Sequence, residues 1–505
     1  MFETNFNDIS EGLKKHLPAY LPSCRWFASK TKDIAEVDIL DCLPMKRNLK
    51  TYMLILRVVL DDDSIEHYSM PLSVIEKTPS KEQKIGLIFA LDNGTHIIEG
   101  IFDAGFRDAL FETLIGGKTV EGINGVLSGF VNAKSISHLI EQGKNISSKV
   151  LPAEQSNSSV IYNDSFFLKL YRRLEIGPHP EAEMTHFLSE AGFTHVPPFI
   201  GSMKYMLNEE KSWREVALLQ EYVKNIGDGW TYFTAVLKNT IKALKSADDA
   251  DKYFLLPLKE EINRTYAMAS LLGKRTAEMH LALSSDRKND SFTPLPFKGE
   301  TQKEAYAIAR LWMKQAMKIL KDNIQMLPSP TDKLARNIID NEKLLIDRLK
   351  YYFTASGGEI LRIHGDYHLG QLLFTGDDFF IIDFEGEPAR SLIERRKKQS
   401  PLKDVSGMIR SLHYAANYAL KSLACDDEAS SFWAKIWYDN AYSSFLSSYR
   451  QEAMNASFLP ADDEEFNATL KAFLMEKVFY EICYEFNNRP DWVYIPLKGI
   501  ESVIN

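Results

Sequence analysis

The sequence predicts an α+β fold in two lobes, a small β-rich lobe followed by a large α-helical lobe, with an extra β-rich segment at the N-terminus. Three observations predict it. Strand-like runs crowd residues 34–224, where apolar positions alternate or form short blocks. From Trp230 onward the apolar residues recur mostly at helical spacing. Inside that helical part, His364-Gly365-Asp366-Tyr367-His368-Leu369-Gly370-Gln371 and Asp383-Phe384-Glu385-Gly386 flank two short apolar runs, which is the pattern of a hairpin.

Composition bounds the answer. A chain of 505 residues is long enough for two or three domains. Its 45% hydrophobic and 26% charged residues are those of an ordinary globular protein. The net charge of −9 argues against nucleic acid or an anionic membrane as partner. No apolar run is long enough to cross a bilayer, and Met1–Asn5 lacks the basic and apolar regions of a signal peptide. Cys24, Cys42, Cys425 and Cys483 are scattered, with no C-x-x-C pair. That suits the reducing cytoplasm and gives no disulfide framework.

In chain order, Ile9–His16 reads as a short amphipathic helix, and Ile34–Leu43, Thr51–Leu60 and Ser64–Ile75 as strands with partial alternation. Pro79-Ser80-Lys81-Glu82 punctuates the chain, so residues 1–88 are taken as a first domain. Residues 89–224 follow, with a hairpin-like stretch at Ile88–Ile98, a helix near Asp108–Leu114, and a strand, helix and strand set at 149–224. Residues 225–505 form the helical part. Its helix candidates are Ala267–Leu283, Thr301–Leu320, Asp332–Tyr352, Asp404–Ala424 and Ala468–Asn487.

The chemistry concentrates at 364–386. Leu372–Phe374 and Phe379–Ile382 pair across the turn Thr375-Gly376-Asp377-Asp378. A hairpin returns the chain, so Gln371 falls beside Asp383, with Asp366 on the loop just before. Asp366 is the candidate base that orients an acceptor hydroxyl. Gln371 and Asp383 offer the oxygen ligands that Mg²⁺ prefers. This is the layout of a protein-kinase-like phosphotransferase, which works by positioning and charge. Asp404 reads as a helix N-cap that braces the loop, and His364 braces it as well. No third His or Cys at ligand spacing makes it a zinc site.

Such a site also needs a strand lysine and a helix glutamate. Lys169 sits mid-strand in Phe166–Tyr171 and shares a face with Phe167 and Tyr171, where a lone charge is unwelcome. Pro180–Ala191 reads as a helix, with Gly192 past its end. Glu183 is the preferred partner for Lys169; Glu181 is the rival that periodicity does not exclude. Gln155, Ser156, Asn157 and Ser158 form a Ser/Asn-rich turn that can present donors to phosphates. Glu221 and Val223, at the end of an apolar strand, fit a hinge that meets adenine through its backbone.

These residues together resemble the maltokinases, a family within the aminoglycoside-phosphotransferase-like branch of the kinase-like superfamily. The resemblance rests on Arg25-Trp26-Phe27 with Lys30, Glu154–Asn157, Gln220-Glu221, Asp228-Gly229-Trp230, Gly273–His280, Asp383–Pro388, Glu394–Asp404 and Tyr484–Leu497. It spans nearly the whole chain. His179 stands where the family tends to have Asn, and Tyr367 where an aliphatic residue is usual. The resemblance implies an N-terminal cap domain and ATP- and Mg²⁺-dependent phosphorylation of maltose at its anomeric hydroxyl, feeding α-glucan synthesis. It also implies a trehalose synthase as a fused or associated partner.

The acceptor side needs aromatic rings and planar polar groups. Tyr484, Glu485, Asn488, Arg489 and Trp492 supply them in one short segment, and His368 lies two residues past Asp366. Other acceptors, such as another sugar, an aminoglycoside or choline, fit the same catalytic motifs. So does a catalytically silent kinase-like module that docks a trehalose synthase.

Overall fold

The computed structural model describes residues 6–132, 146–151, 156–246, 255–387, 390–425 and 427–504. The chain divides into two compact units, Met1–His186 with Pro197–Val223, and Phe187–Val196 with Lys224–Asn505.

The first unit opens with α1 (Phe6–Tyr20) and five antiparallel strands: β1 (Ile34–Lys46), β2 (Thr51–Leu60), β3 (Ile65–Ile75), β4 (Leu87–Ala90) and β5 (His96–Glu99). Their order is β1-β2-β3-β5-β4. The β4–β5 hairpin pairs with β3 and completes this sheet, so the sheet runs past residue 88, where the sequence placed a boundary. Both faces of the sheet are covered. Leu54, Leu56 and Tyr68 pack on Leu13, Leu17 and Phe27 from the N-terminal segment. Met53 and Ile55 face Phe106, Leu110 and Leu114 of α2 (Ala104–Ile115). Two buried faces explain why the alternation was only partial.

A seven-stranded antiparallel sheet follows: β6 (Thr119–Glu121), β7 (Gly125–Val131), β8 (Ser148–Leu151), β9 (Asn157–Tyr162), β10 (Phe166–Tyr171), β11 (Phe199–Leu207) and β12 (Trp213–Glu221), in the order β6-β7-β11-β12-β10-β9-β8. Helix α3 (Pro180–Glu190) follows β10 and ends before Gly192, whose φ of +79° suits glycine. The two sheets are joined where Ser69 N donates to Arg172 O at 2.8 Å and Leu174 N to His67 O at 2.8 Å.

The second unit is helical: α4 (Gly229–Ser246), α5 (Leu255–Leu283), α6 (Glu300–Asn323), α7 (Thr331–Asp340), α8 (Glu342–Thr354), α9 (Leu392–Arg395), α10 (Leu402–Ser422), α11 (Glu428–Glu452), α12 (Asp463–Asn488) and α13 (Tyr494–Ile504). The helix expected at Asp332–Tyr352 is two, broken at Asn341, whose φ/ψ of −96°/14° leave the helical region. Two short strand pairs interrupt the helices: β13 (Leu295–Pro296) with β14 (Glu359–Ile360), and β15 (Leu372–Phe374) with β16 (Phe379–Ile381). Among the described residues no helix is long and apolar enough to cross a membrane. All four cysteines are buried and free.

Candidate active site

Helix α10 holds the catalytic loop. Asp404 is buried, and its carboxylate accepts from the backbone N–H of His364 at 2.8 Å and of Gly365 at 2.9 Å. His280 Nε2 lies 3.2 Å from the same carboxylate, while its Nδ1 faces the Tyr449 hydroxyl at 3.0 Å. Burial pushes the Asp404 carboxyl up, but the His280 hydrogen bond and charge, with the loop amides, outweigh it and hold it below the usual carboxylate range. The sequence suggested an N-cap role for Asp404. Pro401 takes that position instead, and Asp404 serves the N–H groups of the loop rather than those of its own helix.

Two further residues of α10 tie the loop down. A Cβ at Gly407 would come within 2.7 Å of the Tyr367 carbonyl oxygen, so only glycine allows this approach. Ser411 Oγ accepts from Leu369 N at 3.1 Å. Asp404, Gly407 and Ser411 recur at i, i+3 and i+7, on one helix face. His364 Nε2 lies 2.9 Å from Ile382 O and so donates to it, which leaves Nδ1 to accept from Asp366 N at 3.4 Å. With both ring nitrogens engaged, His364 is a brace between loop and hairpin.

The hairpin register pairs Leu372 with Ile381, and Ile382 N donates to Gln371 O at 3.0 Å. The next residue, Asp383, turns back with φ +66°. Aspartate tolerates that left-handed backbone better than most residues. Its Oδ2 accepts from Gln371 Nε2 at 3.0 Å. Asp383 and Gln371 are thus side by side and half-buried. A carboxylate and an amide oxygen are a hard donor pair that fits Mg²⁺.

Asp366 is half-buried on the loop, and His368 Nε2 lies 3.9 Å from its Oδ2. His368 Nδ1 accepts from Gly370 N at 3.1 Å, so the proton of the neutral ring sits on Nε2, toward Asp366. Burial lowers the His368 pKa, against the pull of the Asp366 charge.

Helix α12 supplies the facing side chains. Burial, followed by the Glu387 carboxylate and then the Asp366 charge, raises the Tyr480 pKa. Lys477 Nζ lies 4.9 Å over the Tyr480 ring, and its charge also reaches His368. Tyr484 stacks on Tyr480 at 6.2 Å, and Trp312 meets Tyr480 edge-on at 5.0 Å. The sequence reading missed Lys477, Tyr480, Glu387 and Trp312. The signal for two of them was available, since 477, 480 and 484 share a helix face at i, i+3 and i+7.

Other expected acceptor residues go elsewhere. Glu485 is 1% exposed, and its carboxylate accepts from Arg489 (3.0 and 2.8 Å) and the Tyr414 hydroxyl (3.0 Å). That inward ion pair takes it off the list. Asn488 donates to Tyr484 O of its own helix at 2.9 Å and is exposed. Arg489 lies over Trp492 at 4.7 Å and over Tyr484 at 5.6 Å, and Trp492 stacks on Tyr418 at 5.7 Å. Arg489 and Trp492 therefore extend the aromatic surface begun by Tyr484.

In the first unit Lys169 Nζ lies 3.0 Å from Glu181 Oε2, and the Tyr171 hydroxyl donates to the same oxygen at 3.0 Å. The sequence preferred Glu183. Glu181 is the residue seen on Lys169 because it shares with Tyr171 and Lys169 the buried side of the sheet, while Glu183 is half-buried farther along α3. Asn157 and Ser158 are strand residues at the start of β9, not a turn. Ser158 Oγ accepts from buried Arg172 Nε at 2.9 Å, and Arg172 also pairs with Glu99. The Ser158 hydroxyl is thereby an acceptor in a buried network and keeps its own O–H as a donor. Ser156 is exposed and its Oγ accepts from Asn157 Nδ2 at 3.3 Å. Gln155 lies outside the described residues. Glu221 closes β12, pairing with Phe166, and Val223 ends the unit two residues later.

With this geometry in hand, the likeness to known proteins can be placed. Residues 20–104 match the maltokinase N-terminal cap domain. The matched stretch takes in β1 to β5 of the first sheet. The chain is 24% identical over 356 residues to a glucosamine kinase of Mycolicibacterium smegmatis, covering 70% of this chain and 79% of that protein. It is 25% identical over 354 residues to a glucosamine kinase of Streptacidiphilus jiangxiensis, covering 70% and 72%. A glucosamine kinase structure in complex with glucosamine, ADP and inorganic phosphate aligns with a TM-score of 0.66 at 18% identity, over 98% of this chain and 99% of that one. A second crystal form of glucosamine kinase aligns with a TM-score of 0.67 at 19% identity, over 98% and 99%. The expected fold is borne out: a kinase-like α+β fold with an N-terminal cap and a large helical C-terminal region. The resemblance to the maltokinases is borne out with it.

Proposed function

We propose that this protein transfers the γ-phosphoryl group of ATP to a sugar hydroxyl, with maltose as the acceptor and its anomeric hydroxyl as the position phosphorylated. The observation that carries the reading is the convergence of Asp366, Gln371 and Asp383 on one braced loop and hairpin, where Gln371 Nε2 meets Asp383 Oδ2 at 3.0 Å. Phosphoryl transfer needs an oriented hydroxyl and neutralised phosphate charge more than it needs covalent chemistry. Asp366 orients the acceptor hydroxyl and takes its proton. The neutral His368 ring donates from Nε2 on the same side. The Tyr480 and Tyr484 rings hold a pyranose face. Lys169, kept in place by Glu181, is assigned to the nucleotide phosphates, and the backbone at Glu221 and Val223 to the adenine. Asp383 and Gln371 would hold magnesium, which when bound supplies charge neutralisation to the phosphates. The family resemblance supports a role in α-glucan synthesis beside a trehalose synthase.

A second acceptor is favoured by one feature. Glu387, which pairs with Arg390 at 2.8 Å, puts a carboxylate next to Tyr480, and its second oxygen suits the ammonium group of glucosamine. The relatives named as glucosamine kinases support that alternative. ATP consumption measured with maltose and with glucosamine, with the products identified by NMR, separates the two. Maltose turned over with the higher kcat/KM, giving a 1-phosphate, is expected. Preference for glucosamine moves the assignment to the second reading, and no sugar-stimulated turnover rejects both.

A further inference from the structure

Two cavities of about 580 and 780 Å³ lie side by side in the helical unit and share Tyr438, Asp439 and Leu474. Neither is lined by the catalytic loop or the hairpin. The first is walled by α10, α11, α12 and α13, the second by α8, α10, α11 and α12. Each has the size of a small-molecule site.

The walls combine aromatic rings with hydrogen-bonding groups that have capacity left. The hydroxyls of Tyr438, Tyr442 and Tyr352 make no hydrogen bond to the protein among the described residues. Tyr438 and Tyr442 lie 6.1 Å apart along α11. The polar wall of the first cavity includes two buried side chains, beside the exposed Glu428, Lys435, Asp439 and Lys498. Arg410 is 4% exposed and Asn417 is 6% exposed. Arg410 gives Nε and Nη2 to Glu481, at 3.0 and 2.8 Å, so its charge is neutralised. Its Nη1 donates to His413 Nδ1 at 3.1 Å, which leaves the imidazole proton on Nε2. Asn417 Nδ2 donates to His413 O at 2.9 Å and lies 3.4 Å from His413 Nε2, and its Oδ1 has no partner among the described residues.

The charge pattern narrows the ligand. Lys435 pairs with Asp439 at 2.5 Å and Arg410 with Glu481, while Arg348, Lys471 and Lys498 share the lining with Asp347 and Glu428, which leaves a surplus of one positive charge. A phosphate-rich ligand calls for a larger surplus. Rings next to uncharged donors and acceptors fit a neutral polyhydroxylated molecule, whose C–H faces stack on tyrosine while its hydroxyls reach amide, phenol and imidazole. Two adjoining cavities admit more than one sugar ring in a row.

We infer that this double cavity is a second carbohydrate-binding site, which takes a neutral linear oligosaccharide across Tyr438. None of the α12 side chains assigned to the acceptor, Lys477, Tyr480 and Tyr484, lines it.

Calorimetric titration of the full chain with maltotetraose tests this. Saturable binding is expected, and it should persist in Tyr480→Ala, which damages only the acceptor cleft. Tyr438→Ala and, separately, Tyr442→Ala should weaken it about tenfold or more. Both variants should phosphorylate the small acceptor at a rate within about twofold of wild type, which also reports that they fold. The proposal is overturned if maltotetraose does not bind saturably, or if its binding survives both tyrosine variants and is lost in Tyr480→Ala. It is equally overturned if ADP or inorganic phosphate, rather than the tetraose, is the species whose binding these tyrosine variants abolish.

Discussion

Lys169 and Glu181 form a buried ion pair, Nζ to Oε2 at 3.0 Å, with their side chains 7% and 5% exposed. Removing one partner of such a pair leaves an uncompensated charge, which costs about 3 kcal/mol or more, whereas replacing both by apolar residues is often neutral. Glu181→Ala should therefore lower the urea midpoint clearly, and Glu183→Ala should lower it less. The double variant Lys169→Met/Glu181→Leu should recover most of the stability while ATP turnover stays lost. If the double variant turns over ATP normally, Lys169 has no role at the phosphates.

Asp366→Asn preserves the shape of the loop and removes the proton acceptor. Turnover is expected to fall by about a hundred- to ten-thousand-fold, the usual contribution of a general base. ATP affinity, read by titration with ADP, should change little, because the missing group acts on the acceptor. Activity near wild type removes Asp366 from its assigned role.

Asp404 links acidity to the integrity of the catalytic loop. Its carboxyl is held below its unfolded value, so its contribution is complete above about pH 4 and is lost as pH falls through the folded value. Asp404→Asn must turn an amide N–H toward one of two backbone donors. Losing that charged hydrogen bond costs about 1.5–3 kcal/mol. Thermal unfolding of the wild type should show a decline toward about pH 3 that is flatter in the variant. An unchanged acid limb would mean that another group controls it.

The catalytic loop was legible because its chemistry is local. His364 to Gln371 and Asp383 lie within one loop and hairpin, and hairpin pairing alone brings Gln371 to Asp383. The anchor on α10 was half legible: Asp404 was singled out, but its role as acceptor for two loop amides depends on the packing of α10, which no local pattern encodes. The choice between Glu181 and Glu183 was open for the same reason, since both sit in the first turn of α3 and only the neighbouring Tyr171 and Lys169 decide. Tyr480, the ring that stacks on Tyr484, lies one turn before the segment considered on α12. Tyr484 was the first residue considered, and Glu485 looked polar and available although its helix face points inward to Tyr414. The partly alternating cap strands are buried on both faces, a tertiary fact that period-two reading cannot supply.

Tyr480→Ala and Lys477→Ala test the acceptor side. The Glu387 and Asp366 charges act on Tyr480, the Lys477 charge acts on His368, and Lys477 Nζ lies 4.9 Å over the Tyr480 ring. Loss of the ring or of the cation should raise the sugar KM about tenfold or more with little change in the ATP KM. A matched rise in both constants would instead point to a structural role for α12.

Asp383→Asn is the cleaner test of the metal assignment, because the left-handed backbone at Asp383, φ +66°, tolerates asparagine and penalises alanine. The amide of Gln371 can still meet a side-chain oxygen at position 383, so the hairpin should fold unchanged and thermal unfolding should move little. The charge is gone, however, and a hard cation bound by one carboxylate and an amide oxygen loses most of its attraction. The magnesium concentration for half-maximal rate should rise about tenfold or more, and manganese, which binds oxygen and nitrogen ligands more tightly, should recover part of the rate. Chelation of divalent ions should stop the wild type altogether. A variant with the wild-type magnesium dependence would separate Asp383 from the metal, and Gln371, whose amide faces the same carboxylate at 3.0 Å, would lose its assigned role with it.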